Sequence, residues 1–324
     1  MANTNNTLQN TSQGLQRLNF ATLLKTMRLP FLTLTLFCVF LGLSTAIYSD
    51  AVISWLNFSI CLGGALAAHI AVNTLNEYQD FQSGLDFKTT KTPFSGGSGG
   101  LVENSMAAPL VLKTVYVSIT VTVLCGGYFI YQLGTAILPL GLLGMVIIIT
   151  YTRYINKSPL LCLLAPGVGF GALMVVGTDF VLSGQFSMAA MAAGAVCLFL
   201  VNNLLLLNQI PDVNADKSVG RKHLVIAYGI KKSLLVYTVF LTCSAAVVVL
   251  SGFYNVLPKL GYFALIPMLA SVESVRELNN ALKEDQTIPI PVMEKALGLN
   301  VIAANFTPLL LAICILIATF NQAN

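Results

Sequence analysis

Aspartates that could bind a metal ion occur in two copies of one pattern. Each copy has an asparagine followed four positions later by an aspartate: Asn76 with Asp80, and Asn208 with Asp212, which lie 132 residues further along the chain. Magnesium prefers oxygen ligands and is commonly held by one or two carboxylates together with the phosphate oxygens of a ligand. The repeated pattern therefore predicts a Mg²⁺ site for a phosphate-bearing ligand. The predicted metal ligands, which are also the predicted catalytic residues, are Asp80, Asp86, Asp212 and Asp216.

Basic side chains beside the two copies would complete such a site. A diphosphate would be repelled by carboxylates alone, so a metal ion must lie between the two. Lysines and arginines would bind the remaining phosphate oxygens, since charge-assisted hydrogen bonds to phosphate are strong. Any one of these residues could equally be a solvated loop charge, but that reading leaves the repeated spacing unexplained. The predicted phosphate-binding residues are Lys88, Lys91, Lys217, Arg221 and Lys222.

The first copy requires a break in its helix. Asn76 and Asp80 lie on one face of a helix, because residues four apart are neighbours there. Asp86 follows Asp80 by six positions, which would place it on another face of a continuous helix. Glycine readily adopts the left-handed backbone conformation that ends helices. We therefore expect the helix to unwind near Ser83 and Gly84, which brings Asp86 back towards Asp80.

The second copy contains a proline. Asn208, Asp212 and Asp216 are spaced by four, so we expect all three on one helix face. Pro211 lies between Asn208 and Asp212. A proline within a helix removes a backbone hydrogen bond and clashes with the preceding turn. We therefore expect a kink or a restart of the helix at Pro211. We also expect Asn76 and Asn208 to contact the substrate.

The composition indicates that lipid surrounds the elements that carry these residues. Hydrophobic residues make up 56% of the 324 positions, charged residues only 9%, and the mean hydropathy is +0.79. A soluble domain has roughly a quarter of its residues charged, so this composition excludes an ordinary soluble protein. We expect membrane lipid as a partner and no nucleic acid.

Nine apolar stretches approach the ~20 residues that a helix needs to cross the hydrocarbon core of a bilayer. In lipid every backbone amide must be satisfied within the protein, and these stretches do not alternate as barrel strands do. The predicted fold class is therefore all-α, a polytopic bundle of nine transmembrane helices. The predicted spans are Phe31–Tyr48, Val52–Leu75, Pro109–Tyr131, Thr135–Tyr151, Leu160–Leu182, Met188–Leu207, Leu234–Tyr254, Leu260–Val275 and Leu299–Phe320.

The distribution of basic residues predicts the orientation. With the amino terminus inside, 16 of the 17 lysines and arginines fall on the cytoplasmic side and only Lys259 falls outside. Cytoplasmic loops carry an excess of these residues. A missed or invented helix would scatter them over both faces, so the sorting favours nine crossings and an outside carboxyl terminus. A bacterial inner membrane fits this arrangement.

The chain divides into a short tail and one membrane domain. Residues 1–20 are rich in Asn, Thr and Gln and contain no apolar core, which is typical of a disordered segment and not of a signal peptide. We expect residues 1–20 to be a disordered cytoplasmic tail and residues 21–324 to form the membrane domain. The seven cysteines are scattered singly through the predicted helices and are interpreted as packing residues.

These motifs and spans resemble the UbiA superfamily of membrane prenyltransferases over most of the chain. The family pattern is Asn-Asp-x-x-Asp-x-x-x-Asp after the second helix and Asp-x-x-x-Asp after the sixth. Here Glu77 stands where Asp is common, and Asp80 and Asp86 have a longer spacing. That spacing, with Tyr78, is similar to the branch that prenylates 1,4-dihydroxy-2-naphthoate in menaquinone synthesis. The segment Gly177–Val181 is similar to that branch as well.

The resemblance implies a fold and an activity. The helices would surround a central apolar cavity that opens sideways to lipid, with the diphosphate at its cytoplasmic mouth. The protein would use Mg²⁺ to move an isoprenoid chain from a prenyl diphosphate donor to a small aromatic acceptor in quinone biosynthesis. The acceptor would be 1,4-dihydroxy-2-naphthoate, and a hydroxybenzoate, a tetrapyrrole or a glycerol phosphate stays open as the alternative.

Four further residues are candidates for substrate contact, each with an alternative. His69 and Asn73 lie on the face of the second helix that leads to the first copy, where His69 would contact the acceptor or make an interhelical hydrogen bond. Tyr151 could shield a cationic substrate or belong to an aromatic belt. Arg28 occupies a region where the family often has Arg and Pro, but snorkelling to lipid headgroups explains it equally well.

Two alternatives remain from the sequence. The glycine-rich run Thr92–Leu101 could cradle phosphate with its amides or be a flexible loop. The repeated motif could belong to a secondary transporter, since these are often built from internal repeats. Transport sites usually lie near the middle of the bilayer, whereas the acids here gather at helix ends on one face, which favours an enzyme.

Overall fold

The structure, a computed structural model, describes residues 17–284 and 288–323 and contains helices and turns but no strand in those ranges. The all-α fold class is thereby confirmed. The predicted tail falls outside the described residues except for 17–20, which form the first turn of a helix. The helices are α1 (17–27), α2 (Leu32–Tyr48), α3 (Trp55–Ser83), α4 (Gly100–Glu103), α5 (Ala108–Leu133), α6 (Leu138–Thr150), α7 (Pro159–Gly167), α8 (Gly177–Ser183), α9 (Met188–Asn208), α10 (Val213–Ser218), α11 (Leu224–Phe253), α12 (Leu265–Glu284) and α13 (Ile290–Ala323).

Helices occupy all nine predicted spans, and seven helical ranges are long and apolar enough to cross a membrane. One of the seven, Ser105–Thr150, contains 46 residues, or about 69 Å at ~1.5 Å per residue. That is more than twice the ~30 Å core of a bilayer, and a turn at Gly134 divides this range into α5 and α6. Helix α12 is not among the seven. The count of nine crossings therefore stays a prediction.

The fifth predicted span is one continuous helix of three parts. Helix α7 passes into a π-helical segment, Val168–Val176, which passes into α8. Pro166 lies just before the π segment and lacks the amide hydrogen of a regular helical turn. The side-chain oxygen Oδ1 of Asn202 on α9 accepts a hydrogen bond from the Gly167 amide at 2.6 Å. A neighbouring helix therefore binds the backbone where the α-helix changes to the π-helix.

Helix α9 is the most enclosed of the seven apolar helices and packs against α2, α7, α11, α13 and the π segment. Gly171 and Gly194 allow its backbone to approach the π segment closely, because a Cβ on Gly194 would lie 2.7 Å from the carbonyl oxygen of Gly171. Small residues at such crossings are typical of helix packing in membranes. The rigid packing of α9 fixes the position of Asn208 at its carboxyl end.

Candidate active site

The first copy of the motif adopts the predicted helix break. Helix α3 ends at Ser83, and Gly84 takes the left-handed conformation with φ 76°. A 3₁₀ turn, Leu85–Phe87, then carries Asp86 back towards the helix. Within α3, the side-chain amide of Asn76 donates to Oδ2 of Asp80 at 3.0 Å. The shared face of these two residues and the unwinding at Gly84 are both confirmed.

The second copy is built differently. Helix α9 ends at Asn208, and Asp212 is the N-cap residue of the short helix α10, which contains Asp216. The predicted restart at Pro211 is confirmed. The predicted common helix face of Asn208, Asp212 and Asp216 is wrong, because the helix stops at Asn208 and a turn separates it from Asp212. Only Asp212 and Asp216 are linked locally, by a backbone hydrogen bond of 2.8 Å.

All four predicted aspartates nevertheless line one polar pocket of about 110 Å³. The pocket lies where the carboxyl ends of α3 and α9 meet. Other predicted residues that line it are Arg28, Asn76, Tyr151, Asn208 and Arg221, and residues that the sequence analysis did not single out include Asn156, Gln209 and His223.

The four predicted lysines do not line this pocket. All four are exposed. Lys88 Nζ donates to the Ser218 hydroxyl at 3.3 Å, and Lys91 Nζ lies 4.0 Å from Glu103. The structure therefore places these lysines outside the pocket, where they can attract an anion but do not enclose it. The lysines concerned are Lys88, Lys91, Lys217 and Lys222.

Arg221 joins the two copies of the motif. Its guanidinium forms ion pairs with Asp80 from the first copy and with Asp216 from the second, the latter at 2.8 Å. The three side chains are 4–14% exposed, so solvent screens these pairs little. Burial disfavours the charged guanidinium, but the two carboxylates raise the pKa of Arg221 above its usual value. Arg221 is therefore the internal cation of the pocket.

A second buried ion pair anchors the first copy. Glu77 is 1% exposed and pairs with Arg28 at 2.7 Å. Its two carboxylate oxygens also accept hydrogen bonds from the Ser98 amide at 2.8 Å and the Ser98 hydroxyl at 2.6 Å. Glu77 lies on the helix face of His69 and Asn73 that leads to the first copy, but it was not among the predicted site residues. Its four-residue spacing from Asn73 was the available signal for a site role.

Two amides of the glycine-rich run are hydrogen-bonded to carboxylates of the site. The Gly96 amide donates to Oδ2 of Asp212 at 3.0 Å, and the Ser98 amide donates to Glu77. Gly96 and Gly97 have φ of 83° and 73°, and a Cβ on Gly97 would lie 2.8 Å from Oδ1 of Asp86. The run is therefore bound across the mouth of the pocket by carboxylates from both copies.

Two carboxylate oxygens in the pocket have no partner among the described residues. They are Oδ2 of Asp86 and Oδ1 of Asp212. Burial, together with the charge of Glu77, raises the pKa of Asp86 to about 7. Burial, together with the charge of Asp216, raises the pKa of Asp212 to about 6. In both groups burial and the neighbouring carboxylate outweigh the opposite effect of Arg28 and Arg221, so the ionised forms are disfavoured.

These orphaned oxygens fit a hard divalent cation. Buried carboxylates are normally paired or bound to a metal ion. Among the described residues, no three acidic, histidine or cysteine side chains converge closely enough to hold a metal ion by themselves. The unpartnered oxygens of Asp86 and Asp212 suit magnesium, which takes one or two carboxylates and completes its coordination with water and ligand phosphates.

The polar pocket adjoins an apolar cavity of about 390 Å³. The cavity is lined by residues of α2, α3, α5, α6, α7, α8 and α9. Four polar residues, Arg28, Asn76, Tyr151 and Asn208, line both the cavity and the pocket. The arrangement can hold a molecule with an anionic head and a long apolar tail.

His69 and Asn73 line this apolar cavity and not the polar pocket. Nδ1 of His69 lies 2.7 Å from the Thr35 hydroxyl on α2, and its ring lies edge-on to Phe170. Asn73 donates to the carbonyl oxygen of Met27 at 3.1 Å. The interhelical hydrogen bond that was one interpretation of His69 is present, and the side chain also borders the space that an acceptor would enter.

Comparisons with known proteins agree with this geometry. The sequence pattern of the UbiA prenyltransferase family matches residues 35–287. A 1,4-dihydroxy-2-naphthoate octaprenyltransferase from Bacillus subtilis (strain 168) is 31% identical over 181 residues, which cover 54% of this chain and 55% of that protein. The matched region thus spans about half the length of this curated relative.

Two solved structures share the fold. A UbiA homolog from Aeropyrum pernix K1, in its apo form, has a TM-score of 0.64 and 16% identity, covering 88% of this chain and 97% of that one. A UbiA homolog from Archaeoglobus fulgidus bound to DMAPP and Mg²⁺ has a TM-score of 0.61 and 12% identity, covering 89% and 99%.

Proposed function

This chain belongs to the UbiA prenyltransferase family, and from that premise we propose that it is a Mg²⁺-dependent enzyme that transfers an isoprenoid chain from a prenyl diphosphate to a small aromatic acceptor. One observation carries the proposal. The four aspartates line a polar pocket that shares Asn76, Tyr151 and Asn208 with an apolar cavity. A prenyl diphosphate has a matching anionic head and apolar tail. The Archaeoglobus homolog, bound to DMAPP and Mg²⁺, supports the same ligand class.

The diphosphate head would lie in the polar pocket. Magnesium, when bound, would supply positive charge that neutralises the departing diphosphate. Arg28 and Arg221 line the same pocket and would donate hydrogen bonds to the oxygens of the diphosphate. The ligands for the metal ion would be Asp80, Asp86, Asp212 and Asp216.

The isoprenoid tail would lie in the apolar cavity, where burial of its methyl and methylene groups stabilises binding. The reacting carbon would then sit near Asn76, Tyr151 and Asn208, which line both spaces. The neutral phenol of Tyr151 would present an aromatic face to positive charge that develops on that carbon. Catalysis would consist mainly of positioning and electrostatic stabilisation.

The acceptor would be 1,4-dihydroxy-2-naphthoate, which places the enzyme in menaquinone-type quinone biosynthesis. The name of the Bacillus subtilis relative supports this choice. The spacing of Asp80 and Asp86 supports it as well. A hydroxybenzoate, a tetrapyrrole or a glycerol phosphate is the alternative acceptor.

Product analysis tests the proposal. The purified protein in lipid nanodiscs is incubated with Mg²⁺, labelled prenyl diphosphates of several lengths and each of the four acceptor classes, and products are identified by mass. We expect a prenylated naphthoate that disappears when EDTA removes the metal ion. Product from a different acceptor would overturn the acceptor assignment alone. Uptake of a solute by vesicles without any prenylated product would favour the transporter alternative.

The protein is an integral membrane protein, and we propose that it lies in a bacterial inner membrane with its amino terminus in the cytoplasm and its carboxyl terminus outside. The sorting of basic residues supports this orientation. Reporter fusions at Asn156 and Lys217 test it, since both positions should report a cytoplasmic location. An external location for either would overturn it.

A further inference from the structure

His223 is a buried histidine whose two ring nitrogens both have partners. It is 1% exposed, lies at the start of α11 and lines the polar pocket. Nδ1 accepts a hydrogen bond from the Ile226 amide and caps the helix. Nε2 lies 3.1 Å from Oδ2 of Asp216. The imidazole therefore connects a helix end to one of the aspartates.

The helix cap determines which nitrogen of His223 carries the proton. A neutral imidazole has one donor nitrogen and one acceptor nitrogen. Because Nδ1 accepts from the Ile226 amide, the proton lies on Nε2, and Nε2 donates to Asp216. Oδ1 of Asp216 accepts from Arg221 at 2.8 Å. Both oxygens of Asp216 are thus held by donors.

Asp216 shares this property with Asp80, which Arg221 and Asn76 bind, but differs from the other two aspartates of the pocket. Asp86 and Asp212 each have one buried oxygen without a partner. The donors to Asp216 come from one turn, since Arg221 and His223 are two residues apart and follow Gly220 with φ 80°. The orientation of the Asp216 carboxylate is consequently set before any ligand arrives.

We propose that His223 is a positioning residue: its Nε2–H fixes the Asp216 carboxylate in the orientation that receives the metal ion and the diphosphate. This inference rests on the proposed function of the pocket. Residues that orient a metal ligand in this way typically change metal affinity or activity by about 10- to 100-fold when they are replaced. His223 acts through Asp216 and does not itself take part in the reaction.

Two substitutions of His223 each remove one of its two hydrogen bonds and keep the other. His223→Gln places an amide nitrogen near the position of Nε2, so the donor to Asp216 is retained and the helix cap is lost. His223→Asn keeps an oxygen that caps the helix but is too short to reach Asp216. Each variant of the full chain in detergent is titrated with Mn²⁺, followed by electron paramagnetic resonance, with and without inorganic diphosphate. Thermal melting is measured alongside.

The proposal predicts opposite patterns for affinity and stability. His223→Asn should weaken Mn²⁺ binding by about 10- to 100-fold while it melts close to the wild-type temperature. His223→Gln should bind Mn²⁺ more tightly than the asparagine variant although it melts lower. Equal Mn²⁺ affinities in all three proteins, or a glutamine variant as weak as the asparagine variant, would overturn the positioning role.

Two controls keep these outcomes separate from folding and from the proposed function. If His223→Asn does not fold, His223→Leu takes its place, because it fills similar space without a donor. The Mn²⁺ titration requires neither donor nor acceptor substrate. Absence of prenylated product in the wild-type protein would therefore count against the proposed function, whereas unchanged Mn²⁺ affinity would count against the role of His223.

Discussion

The two copies of the motif have the same residue types at the same spacing but differ in how they are held. In the first copy, Asn76 and Asp80 stay on one helix and form a direct hydrogen bond. In the second copy, the helix ends at Asn208, and Asp212 begins a new helix after a turn. A repeated sequence therefore does not produce a repeated local structure, because Pro211 breaks the second helix.

The difference shows where the geometry of each copy originates. The first copy is organised mainly by its own helix and by the Gly84 turn. The second is organised by donors outside its own helix: the Gly96 amide, 116 positions away, binds Asp212, and Arg221 and His223, in the turn after α10, bind Asp216. Substitutions that act on one copy, on the other, or on the residues between them test this division.

The largest effect is expected at Arg221, which links the copies. Arg221→Met leaves Asp80 and Asp216 buried without a counter-charge, and breaking a buried pair in this way costs about 3–5 kcal/mol of stability. The metal-free variant should therefore melt well below the wild type. Added Mg²⁺ should restore part of the loss, since it supplies positive charge to the same carboxylates.

The control for this substitution is Arg276→Met. Arg276 is 72% exposed at its side chain and lies 3.6 Å from Glu273, and exposed pairs contribute ~0–1 kcal/mol. Its melting should stay near the wild-type value. If Arg221→Met melts like Arg276→Met, the two copies are held together without Arg221.

Asp86→Asn and Asp212→Asn each replace a carboxylate that has one unpartnered oxygen, the first in the first copy and the second in the second copy. Each should lower turnover about 100- to 1,000-fold, roughly 3–4 kcal/mol in the barrier, because each removes an electrostatic stabiliser of the transition state. Melting without Mg²⁺ should not fall, since a neutral amide replaces a buried carboxylate with one unpartnered oxygen, and the amide oxygen at position 212 can still accept from Gly96. Steady-state rates and melting curves are compared with those of Asp50→Asn, a change at an exposed residue. Full activity in either variant would mean that only one copy binds the metal ion.

Ser98→Ala tests how the first copy holds the glycine-rich run. It removes the 2.6 Å hydrogen bond to Glu77, and hydrogen bonds to charged groups contribute ~1.5–3 kcal/mol. Amides of residues 95–99 should exchange their hydrogens faster, while exchange in α10 stays unchanged. Ser105→Ala, at an exposed residue, is the matched control. Unchanged exchange in Ser98→Ala would mean that the backbone hydrogen bonds of Ser98 to Glu77 and of Gly96 to Asp212 hold this run without the Ser98 hydroxyl.

The sequence predicted the parts of the site that depend on neighbouring residues. The shared helix face of Asn76 and Asp80, the unwinding at Gly84 and the restart at Pro211 follow from local backbone preferences and were confirmed, whereas the common face of Asn208, Asp212 and Asp216 was wrong. The ion pairs of Glu77 with Arg28 and of Arg221 with Asp80 join residues 49 and 141 positions apart. Such contacts depend on how the bundle packs, which hydropathy and spacing do not specify. For the same reason spacing did not predict that the four lysines lie exposed outside the pocket, and their contact with phosphate stays a prediction.

The smallest effects should come from the two asparagines, which form a matched pair across the copies. Asn76 donates to Asp80 and also to the Thr152 hydroxyl, each at 3.0 Å, whereas Oδ1 of Asn208 is buried without a partner among the described residues. Asn76→Ala should therefore lower both stability, by about 1 kcal/mol for lost hydrogen bonds, and activity. Asn208→Ala should lower activity alone, because the oxygen it removes is free to contact a ligand.

Melting temperature and kcat/KM, measured side by side, separate these two outcomes. A drop in stability that is equal in Asn76→Ala and Asn208→Ala would mean that the second copy is also organised by its own asparagine. Because Asp212 begins a new helix and takes its hydrogen bond from Gly96, we expect no such drop. The stability of Asn208→Ala is consequently the most direct measure of whether the second copy depends on contacts from elsewhere in the chain.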